Sequence, residues 1–280
     1  MDVFAFCADE VRAHDADRFW ADLFAPEEKR RYLFALHAFN LEISRVRELV
    51  SEPMPGEIRL QWWRDVVAGQ GSGEIAGHPV AAALLETIGL NHLPRAAFDN
   101  LIAARIFDLY NDPMPSLGDL EGYAGETSSA LIQCGAVILA GGRDPGTADA
   151  AGHAGVAQAL AALMRALPFH ARRQQLYLPA DLMAKHGVLA DDIFSGRTTP
   201  ELLRLLTELR QIARRHLDIA RRLLAEADPA LLPAFLPVAL VEPLLKQMDR
   251  RDYDPFRTVL DRPQWRTQWT LWRAARRGKI

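Results

Sequence analysis

Two stretches of this 280-residue chain carry polar side chains at spacings that could do chemistry. In Ala35–Glu48, ALHAFNLEISRVRE, the residues Asn40, Ser44 and Glu48 recur every fourth position and so share one helical face, with Arg45 beside them. In Ala154–Pro179, AGVAQALAALMRALPFHARRQQLYLP, a run of small and apolar residues leads into Arg165, His170, Arg172, Arg173 and Tyr177. Guanidinium forks match phosphate oxygens bidentately, so Arg45, Arg165, Arg172 and Arg173 are candidates for holding an anion. Arg64 and Glu126 are further candidate binding residues. His170 has only Glu48 to join it as a ligand, and two ligands do not make a metal site. Each candidate also has a plainer reading. Arg172 and Arg173 suit a solvated pair beyond a helix end, His170 a hydrogen-bonded structural residue, and Glu126-Thr127-Ser128-Ser129 the close packing of small residues. No catalytic triad, zinc spacing or dinucleotide fingerprint is present, so neither a catalytic residue nor a metal ligand set is assigned.

The elements that must position these residues are helices. Apolar spacing predicts them over 27–51, 57–69, 79–90, 94–110, 116–141, 148–170, 199–226, 230–249 and 263–276. Leu36, Phe39, Ile43, Val46 and Val50 form the core stripe of the first. Breaks are expected at Pro53, Pro55, Gly69–Gly73, Pro94, Pro113, Pro115, Gly141-Gly142, Pro179, Pro200, Pro229 and Pro255. The Gly69–Gly73 turn lacks the Gly-Lys-Ser/Thr ending of a phosphate loop. The expectation is a single all-α domain over residues 1–280.

Composition narrows the function classes. A net charge of −3 argues against general nucleic-acid binding. Cys7 and Cys134 alone make no disulfide framework and suit a reducing compartment. Asp2, Asp9, Glu10, Asp15 and Asp17 are unlike a secretory or mitochondrial leader. The longest uncharged run, Thr127 to Gly142, is short of the roughly 18–20 apolar residues of a membrane span. The expected location is the cytoplasm, with peripheral attachment at the inner membrane. That attachment would use the C-terminal segment. Trp265, Trp269 and Trp272 fall on one helical face, and no acidic residue follows Arg262. Trp265 and Trp269 are read as packing on the body. Trp272, Arg273, Arg276, Arg277 and Lys279 are left as a surface for a partner or a membrane.

The same residues resemble signatures of the squalene/phytoene synthase family. In that family the second signature ends in an Asn, Arg, Asp, Asp pattern, followed by basic residues and Tyr-Leu-Pro. Here Gly155, Gln158, Leu160, Arg165, Arg172, Arg173, Tyr177, Leu178 and Pro179 keep the frame, while the Asn position reads Ala162 and the Asp positions read Ala166 and His170. The first signature keeps its lead at Ala35, Ala38 and Phe39, but its three Asp positions fall on Ser44, Arg45 and Glu48. A third match runs through Ile58–Val67, IRLQWWRDVV, with Arg59, Gln61, Trp62 and Arg64, and continues at His78-Pro79-Val80. The resemblance spans about residues 27–272. Gln61-Trp62-Trp63, Tyr123–Thr127, Arg165-Ala166 and His186-Gly187-Val188 are similar to one branch, which includes a mitochondrial respiratory complex I assembly factor and its alphaproteobacterial relatives. That branch also lacks the paired Asp motifs.

The resemblance implies an isoprenoid-synthase-type helical bundle with an internal cavity. In the family, Asp pairs on facing helices hold Mg²⁺, which grips a diphosphate through hard oxygen ligands. Alanine supplies no ligand, imidazole suits softer metals, and Arg45 reverses the charge. The expected function is therefore that of a catalytically degenerate member needing no cofactor. It would act as an assembly factor partnered with respiratory-complex subunits or a membrane-associated protein, or would hold a prenyl lipid or prenyl diphosphate without turnover. The alternative is an active prenyltransferase that condenses two prenyl diphosphates head to head with Mg²⁺.

Overall fold

The computed structural model describes residues 2–70 and 77–280; Gly71, Ser72 and Gly73 of the expected glycine turn lie outside the described residues. Two helices precede the first one expected. They are α1 (Val3–His14) and α2 (Ala16–Asp22). Asp2 accepts hydrogen bonds from the Phe4 and Ala5 N–H groups, and Asp15 accepts one from Arg18 N–H. Two of the acidic residues that argue against a leader are thus helix caps, placed where a carboxylate satisfies orphan donors and the helix dipole.

The next segments are α3 (Glu27–Ser44), α4 (Val46–Leu49), α5 (Pro53–Ala68), α6 (Pro79–Leu90) and α7 (Arg95–Arg105), which tightens into a 3₁₀ turn over Ile106–Leu109. The expected 27–51 helix breaks at Arg45, whose N–H still bonds to Leu41 O before the chain turns. Pro53 and Pro55 do not interrupt a helix but sit in the first turn of α5, where a missing N–H costs nothing. The expected core stripe holds: Leu36, Phe39, Ile43 and Val46 are buried, and Phe39 meets Trp63 and Phe98 edge-on at 5.2 and 5.5 Å between ring centres.

A continuous rod follows. It comprises α8 (Leu117–Ala124), a π-helical turn over Gly125–Ser129, and α9 (Ala130–Leu139). Beyond it come α10 (Ala148–Arg165), α11 (Leu167–Arg172), α12 (Ala180–His186), α13 (Ala190–Phe194) and the 25-residue α14 (Pro200–Leu224). The expected 148–170 helix breaks at Ala166. Pro168 lies in the first turn of α11, and a proline there cannot continue α10: it has no N–H and its ring would collide with the preceding turn.

Residues 229–248 alternate 3₁₀ turns with α15 (Leu232–Phe235) and α16 (Val241–Met248). This stretch, Pro229–Met248, has a mean hydropathy of 1.4 and is long and apolar enough to cross a membrane, contrary to the expectation that no stretch qualifies. It is half buried inside the protein, and Pro233 and Pro237 break it into short turns. It packs as a core segment.

α9 joins the two main cores. Leu131, Cys134 and Ile138 enter the core built by α1, α3, α5, α6 and α7, while Ile132 and Ala136 enter the one built around α10 and α14. The last helix, α17 (Gln264–Arg277), lies on a third, smaller cluster. Its Leu271 and Ala274 meet Ala21, Leu236 and Ala239. Trp265 and Trp269 take no part in that packing, contrary to their expected role; both are exposed. The face that packs is Thr267, Leu271 and Ala274, half a turn away.

Candidate functional site

Closeness between two elements sets the geometry of the centre. α10 crosses the π-helical turn at Gly155, where a Cβ would lie 2.2 Å from Ser129 Oγ and 2.4 Å from its backbone N and Cα. Ser129 Oγ donates to Gly152 O at 2.9 Å, and Thr127 Oγ1 donates to Tyr123 O at 2.6 Å. Glycine here is a packing requirement, and π-turns of this kind often mark functional positions. The crossing brings Ser128 beside Gln158, Ala162 and Arg165 in one cleft of about 280 Å³.

The other wall of that cleft is the N-terminal helix pair, which supplies Asp15, Asp17 and Arg18. Asp15 is paired with Arg18 at 2.5 Å. Burial raises the Asp17 carboxyl above its usual range, with Arg165 and Arg262 pulling it back. Arg165 also faces a cleft of about 180 Å³ shared with Asp17, Asp261 and Arg262. Burial lowers the Arg262 guanidinium, and Arg165 and Arg266 add to the effect against Asp17. Arg165 and Arg262 share the smaller cleft with Asp17 and Asp261, and among the described residues no carboxylate lies within salt-bridge distance of either arginine.

A second polar centre lies deeper. Asp108, only 7% exposed, accepts from the hydroxyls of Tyr177 at 2.6 Å and Tyr123 at 2.8 Å, and from Arg105 at 3.1 Å. Arg105 also donates to Tyr123 Oη at 2.7 Å, and Gln175 Nε2 donates to Asp108 O at 2.9 Å. Burial raises both phenols far above their ordinary range, and the Asp108 charge adds to it. Burial opposes the Arg105 cation, but Tyr123 and Asp108 outweigh it, so that guanidinium is held charged. The His170 ring lies 4.6 Å from that of Tyr177. Burial lowers the His170 imidazole, with Gln175, Asp108 and Glu48 opposing. Burial thus favours the uncharged ring, whose buried Nδ1 has no hydrogen-bond partner.

The predicted site residues do not converge on one point. Asn40 is 5% exposed, with an unpartnered Oδ1, and Ser44 turns back to Leu41 O at 3.3 Å. Arg45 lines a pocket of about 140 Å³ with Glu10 and Glu42, toward α1 and α6. Glu48 lies within electrostatic reach of His170. Arg64 pairs with Asp99 at 2.7 Å, linking α5 to α7. Glu126 and Arg172 are exposed, and Arg173 lies over the Phe169 ring at 4.3 Å. Tyr177 alone joins the Asp108 network, and Arg165 alone lines the cleft. A further apolar cavity of about 470 Å³ opens between α4 and α5, floored by Trp62 and Trp63.

Arg105, Asp108, Tyr123, Asp17 and Arg262 are not among the residues expected from sequence. Asp108 had one visible signal, a carboxylate inside the apolar run Ile106-Phe107-Asp108-Leu109. The others needed the fold.

Mg²⁺ does not fit this donor set. The six positions that would face each other read Ser44, Arg45, Glu48, Ala162, Ala166 and His170, which offers one carboxylate. Among the described residues no group of three or more His, Cys, Asp or Glu side chains is placed to hold a metal ion. Hard cations need several oxygen ligands.

The fold and these motifs agree with what the chain is similar to. The squalene/phytoene synthase family model matches residues 11–273. A rat protein named NADH dehydrogenase (ubiquinone) complex I, assembly factor 6 is 31% identical over 255 residues, covering 91% of this chain and 76% of that protein. A phytoene synthase from Arthrospira platensis is 24% identical, covering 91% of this chain and 86% of its own length. Among solved structures, a squalene synthase from Alicyclobacillus acidocaldarius superposes with a TM-score of 0.77 at 22% identity, over 91% of this chain and 95% of that one. The chain belongs to the squalene/phytoene synthase family, with the all-α isoprenoid-synthase fold.

Proposed function

We propose that this chain is a non-catalytic member of its family that serves as an assembly factor for a respiratory NADH dehydrogenase of the complex I type. The observation that carries it is the donor set: of six positions that would hold Mg²⁺, only Glu48 keeps a carboxylate, and Arg45 adds a positive charge. The name of the rat relative, similar over 91% of this chain, supports the partner. On this reading the protein works in the cytoplasm on subunits of that complex, and its retained scaffold presents a surface rather than an active site. Deleting the gene in its native host and resolving respiratory complexes on native gels tests it. Assembled NADH dehydrogenase should fall and subcomplexes accumulate, and an unchanged level would overturn it.

A second reading is supported by Arg165 and Arg262, two guanidiniums that line one cleft and, among the described residues, have no carboxylate within salt-bridge distance. There the protein holds a prenyl diphosphate or another phosphorylated lipid without turnover, through guanidinium forks instead of a metal. Calorimetric titration with a prenyl diphosphate analogue, with and without EDTA, is the test. Binding should survive EDTA and be lost in Arg165→Ala. Binding that appears only with Mg²⁺ would refute it.

A further inference from the structure

We infer that the outer face of α17 is a docking surface for an anionic lipid bilayer. At about 100° per residue, Trp265, Trp269, Trp272 and Arg276 form one stripe. Thr267, Leu271 and Ala274 form the opposite one, and these are the residues that pack on the body. The tryptophans are therefore not holding the helix in place. They are 62%, 53% and 40% exposed, a contiguous aromatic patch in which Trp269 and Trp272 stack at 4.9 Å. Exposed patches of this kind mark interaction sites.

Charge selects the occupant. From Arg262 to Ile280 there are six basic side chains and no acidic one, whereas residues 1–261 carry 27 basic and 36 acidic. Arg266, Arg273, Arg276, Arg277 and Lys279 are all exposed, and none is paired with a carboxylate among the described residues. Arg266 lies over Trp265 at 5.2 Å and Arg276 over Trp272 at 5.3 Å, so cations and rings form one continuous surface. Indole rings settle at the headgroup level of a bilayer, and long basic side chains reach the phosphates around them. A second copy of this chain does not suit the surface, because a symmetric contact would set like charges against each other. A continuous negative surface does, and the attraction should weaken with added salt.

Vesicle co-sedimentation of the full chain tests this. Vesicles of phosphatidylcholine mixed in equal parts with phosphatidylglycerol should bind it, and phosphatidylcholine alone should not. Replacing all three residues, Trp265→Ser, Trp269→Ser and Trp272→Ser, should weaken binding at least tenfold and leave the melting temperature unchanged. Arg273→Glu with Arg276→Glu and Arg277→Glu should abolish it. Brominated lipid should quench the wild-type tryptophan emission, a readout that needs no variant. If the wild type ignores anionic vesicles, or the tryptophan variant binds them as well as the wild type does, the face serves a protein partner and the inference fails. None of these outcomes depends on whether the protein assembles a respiratory complex.

Discussion

Gly155 and Ser129 approach so closely that no side chain fits between them: a Cβ on Gly155 would lie 2.4 Å from the Ser129 backbone nitrogen. The obstacle is main chain, which cannot rotate away. The crossing of α10 over the π-helical turn, and with it the position of Arg165, depends on this contact.

Gly155→Ala should therefore destabilise the protein by about 1–3 kcal/mol, the usual cost of forcing a methyl into a packed interior. Gly152→Ala, one turn earlier, meets nothing within 4 Å and should be neutral or stabilising. Urea unfolding of the two variants separates the effects. Equal stabilities would mean the crossing is looser than described.

Asp108 neutralises Arg105 and accepts from two phenols in a buried site. Asp108→Asn leaves a desolvated guanidinium without its counterion and should cost roughly 3–5 kcal/mol. Tyr177→Phe removes one donor from a carboxylate that keeps its other partners, and should cost about 1–3 kcal/mol. Chemical denaturation of both gives the ranking, and a Tyr177→Phe cost above that of Asp108→Asn would contradict the network's centre being the carboxylate.

Burial lowers His170, and it lowers His216 with Glu121 opposing and His153 adding to the effect. A histidine whose folded pKa lies below its unfolded one binds fewer protons in the native state. Its contribution is present above the unfolded pKa and is lost as pH falls below about 6.5. Stability measured from pH 7.5 downward should drop through that window, and His170→Phe should flatten the drop. A wild-type stability that rises on acidification would show the sign to be wrong.

The non-catalytic reading predicts that purified protein incubated with farnesyl or geranylgeranyl diphosphate and Mg²⁺ forms no C30 or C40 hydrocarbon. A metal acting as Lewis acid on a phosphoryl oxygen supplies several kcal/mol, so its loss removes orders of magnitude in rate. Product analysis by mass spectrometry decides it. Turnover at an ordinary enzyme rate would restore the prenyltransferase alternative.

Local order was legible where local chemistry suffices. The α6 boundaries match the expected 79–90 because His78 caps the helix and Pro79 opens it, signals contained within four residues. The apolar stripe of α3 was legible because helical periodicity alone decides which side meets other apolar groups. The loss of the Mg²⁺ ligands needed only residue identities. The break at Ala166 was written in Pro168 but was hidden inside a strong apolar pattern. The tertiary structure decided the rest. Asp15 and Asp17 served in the sequence only as acids unlike a leader; the fold sets them in the cleft that Arg165 lines. Tyr123 and Tyr177 lie 15 and 69 positions from Asp108, the carboxylate they share, and no spacing rule joins residues that far apart. The direction of the α17 tryptophans was likewise undetermined by periodicity, which defines two opposite faces but not which one the body covers. The fold settled it: Leu271 and Ala274 pack with Ala21, Leu236 and Ala239 and Thr267 is buried on the same face, which leaves the indoles on the opposite one.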